Sequence, residues 1–192
     1  MFSDLFDSIR VSYLFISGIL FFCGIYFAPY AVEKGWNWLL VYPRWMFRIL
    51  EKYLQVNFRF LILFTLIFVL NNISLFLSFI SGYTIILPLL AAFFTGFNIA
   101  VISFDMAGWR GIWHMFINPV AWLEFPAGLI SFAMGFQLAE YQLRFGKLEF
   151  TNQMFQQLLP LYFKYVMTIL LIAALLESAL IVLAQKFDDG TD

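Results

Sequence analysis

The sequence predicts an all-α fold, a polytopic transmembrane helix bundle of about five membrane segments with interfacial amphipathic helices, and three observations carry that prediction. Of 192 residues, 63% are hydrophobic, 21% aromatic and 12% charged, with a mean hydropathy of +0.87. A soluble domain carries about 25% charged residues, so a water-soluble globule, a disordered chain and a disulfide scaffold are all excluded. Several apolar runs reach about 20 residues, the length that a helix needs to cross a hydrocarbon core about 30 Å thick. Two of these runs are joined by only Ser81 and Gly82, which forces them to be antiparallel neighbours. The whole chain, residues 1–192, is read as a single integral membrane domain.

The first membrane segment is 11–32, which carries no charge and ends at Ala28-Pro29-Tyr30. It is longer than the core of a secretory signal, about 7–15 residues, and the acidic Asp4 and Asp7 before it are the wrong flank, so it is expected to remain in the mature chain. Next comes an interfacial helix over 44–55. Arg44, Arg48, Glu51, Lys52 and Gln55 recur at helical spacing opposite Phe47, Ile49, Leu50, Tyr53 and Leu54, with Trp36, Trp38 and Trp45 suited to the headgroup level. The second and third spans are 60–80 and 83–104.

Segment 112–139 is long enough to cross but contains Asn118-Pro119 and Glu124-Phe125-Pro126. Proline removes a backbone donor and clashes with the preceding turn, so this segment is expected to break between Asn118 and Pro126, with the break facing the bundle interior. Its length favours a full crossing, whereas the basic residues Arg144, Lys147 and Lys164 after it favour a re-entrant path. Both remain open at this point. A second, more polar interfacial helix is expected over 150–159, with Thr151 or Asn152 as its N-cap, and the last span is 161–183, bounded by Pro160. The loop between the first two spans holds Lys34, Arg44, Arg48, Lys52 and Arg59, five of the eleven basic residues, which places it in the cytoplasm and the N-terminus outside.

The order Asn71-Asn72, Ser81-Gly82, Gly96-Phe97-Asn98, Pro119-Val120-Ala121-Trp122-Leu123-Glu124-Phe125-Pro126-Ala127, Gly135 and Ala173-Ala174-Leu175-Leu176-Glu177-Ser178 resembles the stage II sporulation protein M (SpoIIM) family, from about residue 70 to 183. The most specific pieces are Glu-x-Pro-Ala and Ala-Ala-x-x-Glu. One departure is plain: where the family commonly has Pro-His-Gly, this chain has Pro119-Val120-Ala121, and His114 does not replace that histidine position by position. The resemblance implies a multi-pass protein which, in sporulating bacteria, anchors cell-wall hydrolases at a dividing membrane. It brings no catalytic residues.

Glu124 and Glu177 are the only carboxylates inside the expected spans. Each costs about 2.5–3.5 kcal/mol near the bilayer centre on insertion scales. Two roles fit: a protonatable or cation-attracting site, or a hydrogen-bonded pin between helices. The two carboxylates are expected to meet in one buried polar cluster, with Asn71, Asn72 and Asn98 as the other polar groups at depth. Small residues form two matching sets, Ala92, Gly96 and Ala100, and Ser131, Gly135 and Ala139, which are expected to pack on each other or on a second subunit. These sets, Pro88 and Pro126 before them, and the strings Gly96-Phe97-Asn98-Ile99-Ala100 and Gly135-Phe136-Gln137-Leu138-Ala139 also fit a weak internal duplication.

His114 stands beside Trp109, Arg110 and Trp113 as an interfacial anchor, Cys23 is alone, and the 26 phenylalanines read as lipid-facing bulk. With one histidine, one cysteine, no nucleophile set and no glycine-rich phosphate loop, the chain is expected to be no enzyme and to need no metal or other cofactor. The net charge of −1 argues against nucleic acid. The expected partners are the lipid bilayer, a second copy in a homo-oligomer, with a dimer favoured, and membrane or envelope proteins. The expected place is the cell membrane. A structural or recruiting role in membrane or envelope remodelling is the leading reading. A small transporter or channel with a Glu/Asn polar centre is the alternative.

Overall fold

A computed structural model of the chain describes the backbone of residues 3–54 and 60–188 and the side chains of 4–49 and 60–185. The order is α1 (Ser3–Ser8), α2 (Val11–Glu33), α3 (Asn37–Leu54), α4 (Phe60–Ile80), a 3-10 turn (Ser81–Tyr83), α5 (Leu87–Ile117), α6 (Ala121–Phe145), α7 (Leu148–Leu161), a π-turn (Tyr162–Met167) and α8 (Thr168–Asp188). Among the described residues, four stretches are long and apolar enough to cross a membrane: Val11–Glu33, Phe60–Tyr83, Leu87–Ile117 and Leu148–Gln185. The side chains of Glu51, Lys52 and Lys186, the residues Gln55 and Arg59, and the tail from 189 lie outside the described residues.

The fifth long helix, α6, is the centre of the bundle. Thirteen of its residues are buried, from Ala121 to Ala139, and it touches α2, α4, α5, α7 and α8. A helix surrounded by protein need not be uniformly apolar towards lipid, so Gln137 and Glu140 are tolerated where an outer span would exclude them. Its neighbours fix its direction. Asn71 meets Glu124, Leu75 meets Ser131 and Ser78 meets Gly135, so α6 runs parallel to α4. Tyr13 meets Phe136 and Phe21 meets Phe125, so α2 runs against it.

α5 does not end near 104. It bends sharply where Gly108 takes φ +58°, ψ −141°, a backbone state that only glycine adopts readily. The following arm, 109–117, turns back so closely that a Cβ on Gly111 would strike the Ser103 carbonyl. The arm brings Phe116 to Phe22 and Phe125. Arm and α6 together therefore run from the Gly108 end of the bundle to the end that holds Ser81–Tyr83. At that far end Arg10 and Arg144 both pair with Glu140, at 2.7 and 2.9 Å, and Lys164 pairs with Asp4.

Residues 118–120 separate α5 from α6. Asn118 closes α5 by donating its N–H to the His114 carbonyl, and its Oδ1 accepts the Val120 N–H at 3.0 Å, so helix stops and restarts around Asn118-Pro119. Pro126, in contrast, lies inside α6 without interrupting it. It costs the one bond that its N–H would have donated to the Trp122 carbonyl, and neighbouring helices hold the rod in place. Pro160 likewise ends nothing: the helix passes through it into the π-turn.

Two further expectations change. The connecting helix starts at Leu148 rather than 150, and Thr151 and Asn152 do not cap it. The Thr151 hydroxyl donates to Gln142 Oε1 at 2.8 Å, and Asn152 Oδ1 accepts the Tyr83 hydroxyl at 2.6 Å. Nor are the phenylalanines all lipid-facing. Phe79, Phe97 and Phe132 are fully buried, and Phe79 stacks between Phe155 and Tyr162 with centroids at 5.2 and 5.7 Å. Aromatic rings fill the interior because the close-packed helices leave flat spaces that ring pairs suit.

Candidate functional site: the polar centre on the central helix

Glu124 occupies the first turn of α6, just after the Asn118-Pro119 interruption, where the positive end of the helix dipole favours a carboxylate. Its Oε1 accepts the Asn71 Nδ2–H from α4 at 2.6 Å. Glu177, on α8, lies within electrostatic reach of Glu124. The structure thus joins Asn71 and Glu124 by a hydrogen bond, while Glu177 acts on Glu124 through its charge alone. It does not bury them: both glutamates are half-buried, because Glu124 stands at an open helix end and α8 turns part of its face outward.

The other expected members stay apart. Asn72 spends its Nδ2–H on the Phe68 carbonyl of its own helix, and its backbone carbonyl accepts the Tyr162 hydroxyl at 3.1 Å. Asn98, half-buried on α5, makes no hydrogen bond to either carboxylate. His114 is exposed on the arm of α5, and so are all six tryptophans.

The small-residue sets do pack tightly, but on different partners from those expected. A Cβ added to Gly96 would land on the Phe21 carbonyl of α2, and one added to Gly24 would land on the Phe93 carbonyl of α5. The Gly96 face, with buried Ala92 and Ala100, is therefore spent on α2. Gly135 faces the Ser78 carbonyl of α4, at 2.8 Å from a built Cβ, while Gly82 abuts the Gly135 carbonyl. Ser131, fully buried, donates its hydroxyl to the Leu75 carbonyl at 2.6 Å, and Ala139 is buried one turn beyond Gly135. α5 and α6 still touch, with Pro88 3.5 Å from a Gly135 Cβ and the Phe116 ring against Phe125. Parallel partners were available for close approach, and the stripes alone could not say which would be used.

Gln137 was missed. It is 6% exposed on α6; its Nε2–H donates to the Ser8 carbonyl at 2.9 Å and its Oε1 accepts the Arg10 N–H at 3.4 Å, tying the turn between α1 and α2 to the central helix. One glutamine in an otherwise apolar stretch was the available signal.

Apolar helices around a central, closely packed rod, with a small interhelical carboxylate–amide centre, define a polytopic α-helical membrane protein. Within that class the chain belongs to the SpoIIM family, Stage II sporulation protein M, whose model matches residues 11–180. No curated protein and no solved structure matches it.

Proposed function

We propose that this protein is a non-enzymatic structural or recruiting component of the cell membrane, acting in membrane or envelope remodelling. The observation that carries this reading is the interior: glycine faces press backbone on backbone at Gly24–Gly96 and Gly82–Gly135, and the Asn71–Glu124 bond ties α4 to α6. Such packing suits a rigid platform. Family membership supports the same reading. Partners dock on outward helix faces or on α3 and α7, since little of the chain stands outside the helices. A homodimer then uses a face other than the glycine stripes. The outer groove of α4, about 540 Å³ and lined by Leu61, Ile62, Thr65, Leu66, Val69 and Leu70, supports that placement.

The test is cross-linking in native membranes followed by identification of the captured proteins, with substitutions along α4 and α3 as controls. Recovery of the same envelope proteins, lost on those substitutions, is the expected result; capture of nothing reproducible refutes it. A second reading, a small transporter or channel, is favoured by one observation, the two half-buried carboxylates held within electrostatic reach at a helix interruption. Ion flux in liposomes that disappears in Glu124→Gln supports transport; absence of flux under varied gradients supports the platform.

A further inference from the structure

α3 has three faces. Leu40 and Pro43 are buried against the bundle. On another side Trp38, Val41, Tyr42, Trp45 and Ile49 recur at helical spacing and are exposed, an apolar stripe suited to the headgroup and upper acyl region. Arg44 and Arg48, one turn apart, lie between these two faces. In sequence, residues 33–59 carry five basic side chains against two acidic ones, Glu33 and Glu51.

Between α3 and α5 lies a groove of about 460 Å³ lined by Arg44, Phe47, Arg48, Ile102 and Asp105. Its only carboxylate among the described residues is already matched. Arg44 Nε donates to Asp105 Oδ2 at 2.7 Å and Arg44 Nη2 to Oδ1 at 2.9 Å, a two-pronged pair that cancels both charges. The uncancelled charge of the groove is then that of Arg48. Its Nε donates to the Arg44 carbonyl at 3.4 Å, and its terminal nitrogens bond to no described residue. Phe47 and Ile102 supply an apolar floor, and Trp45 stands three positions before Arg48.

We propose that this groove binds the headgroup phosphate of an anionic phospholipid, taken from the leaflet in which α3 lies. The Arg48 guanidinium is the anion ligand, because its planar fork matches two phosphate oxygens. The first carbons of an acyl chain rest on Phe47 and Ile102. Arg44 is a positioning residue: it fastens α3 to α5 and silences Asp105, which otherwise repels the phosphate. The bound lipid comes from the bilayer itself, since the groove adjoins the exposed aromatic stripe rather than open water alone.

The experiment is native mass spectrometry of the full chain in detergent with equimolar phosphatidylglycerol and phosphatidylcholine. Wild type is expected to retain the anionic lipid about fivefold over the zwitterionic one, the preference that one surface arginine confers. Arg48→Ala brings the ratio close to one, Arg48→Lys restores part of it, and Lys147→Ala, at the opposite end, leaves it at the wild-type value. Arg48 is exposed, so these variants fold. Equal retention of both lipids by wild type, or an unchanged ratio in Arg48→Ala, overturns the proposal. Displacement of the lipid by excess inorganic phosphate also overturns it, because the site then takes a free anion.

Discussion

Replacing Gly96 by alanine tests the seam between α2 and α5. The new Cβ would stand more than an ångström inside ordinary contact, 3.4–4 Å, with the Phe21 carbonyl, a backbone atom that cannot swing away. The helices must part by about that amount. A radial gap of about 0.5–1 Å forfeits a quarter to a half of each contact's attraction, and overpacking of this kind costs about 1–3 kcal/mol. Because Gly24 meets Phe93 on the same seam, the loss should fall near the top, about 2–3 kcal/mol. Gly18 is the control: it lies on α2 with nothing within 4 Å of a built Cβ, so Gly18→Ala should be neutral or slightly stabilising. The assay is reversible unfolding in mixed micelles followed by circular dichroism. In the double variant Gly24→Ala/Gly96→Ala the costs should not add, since the first substitution already opens the seam for the second. Equal midpoints for Gly96→Ala and Gly18→Ala would show that the backbones do not touch and would refute the reasoning.

In the same assay, Glu124→Gln should change stability by less than about 1 kcal/mol, because the amide oxygen still accepts from Asn71, whereas Asn71→Leu should cost about 0.6–2 kcal/mol; the reverse order would contradict the assigned bond. Ser131→Ala should lower stability by about 0.6–1.5 kcal/mol through loss of its bond to Leu75, and an unaltered midpoint would count against it. Asp4 supplies a pH test. Hydrogen bonds from Lys164 and Tyr165 hold its carboxyl at about 2, below the ordinary 3.8. A lowered value means that the clamp on α1 is complete above pH 3.8 and is lost as pH falls through about 2. Protection of the amides of residues 3–9, measured relative to the unstructured exchange rate at each pH, should therefore fall across that interval in wild type and stay level in Asp4→Asn.

How much was legible follows from what kind of information each feature needs. The outer spans α2 and α4 could be read almost to the residue, because lipid contact demands uninterrupted apolarity and polar residues mark both ends. α6 was blurred for the opposite reason: surrounded by protein, it keeps Gln137, Glu140 and Pro126, which dilute its apolar signal. Pro126 and Pro160 mislead because a proline's lost donor breaks a lone helix but not one held by neighbours. The pairing of Glu124 with Asn71 was within reach, since both were named as polar groups at depth, yet Asn98 was named for the same reason and stands apart. Composition at a position says that a residue needs a partner; only packing says which. The same holds for the glycine stripes, whose presence was plain and whose partners, α2 and α4, were not.

The central place of α6 bears on how the chain is built. When synthesis has reached Ile117, the first three spans exist but the rod they enclose does not, so Gly82 and the carbonyls of Leu75 and Ser78 line a vacant slot. The helix that fills it is less oily than its predecessors and enters bilayer readily only because that slot offers Asn71 and close backbone contact. A chain cut before Ala121 would therefore lack the helix against which α2, α4 and α5 all pack.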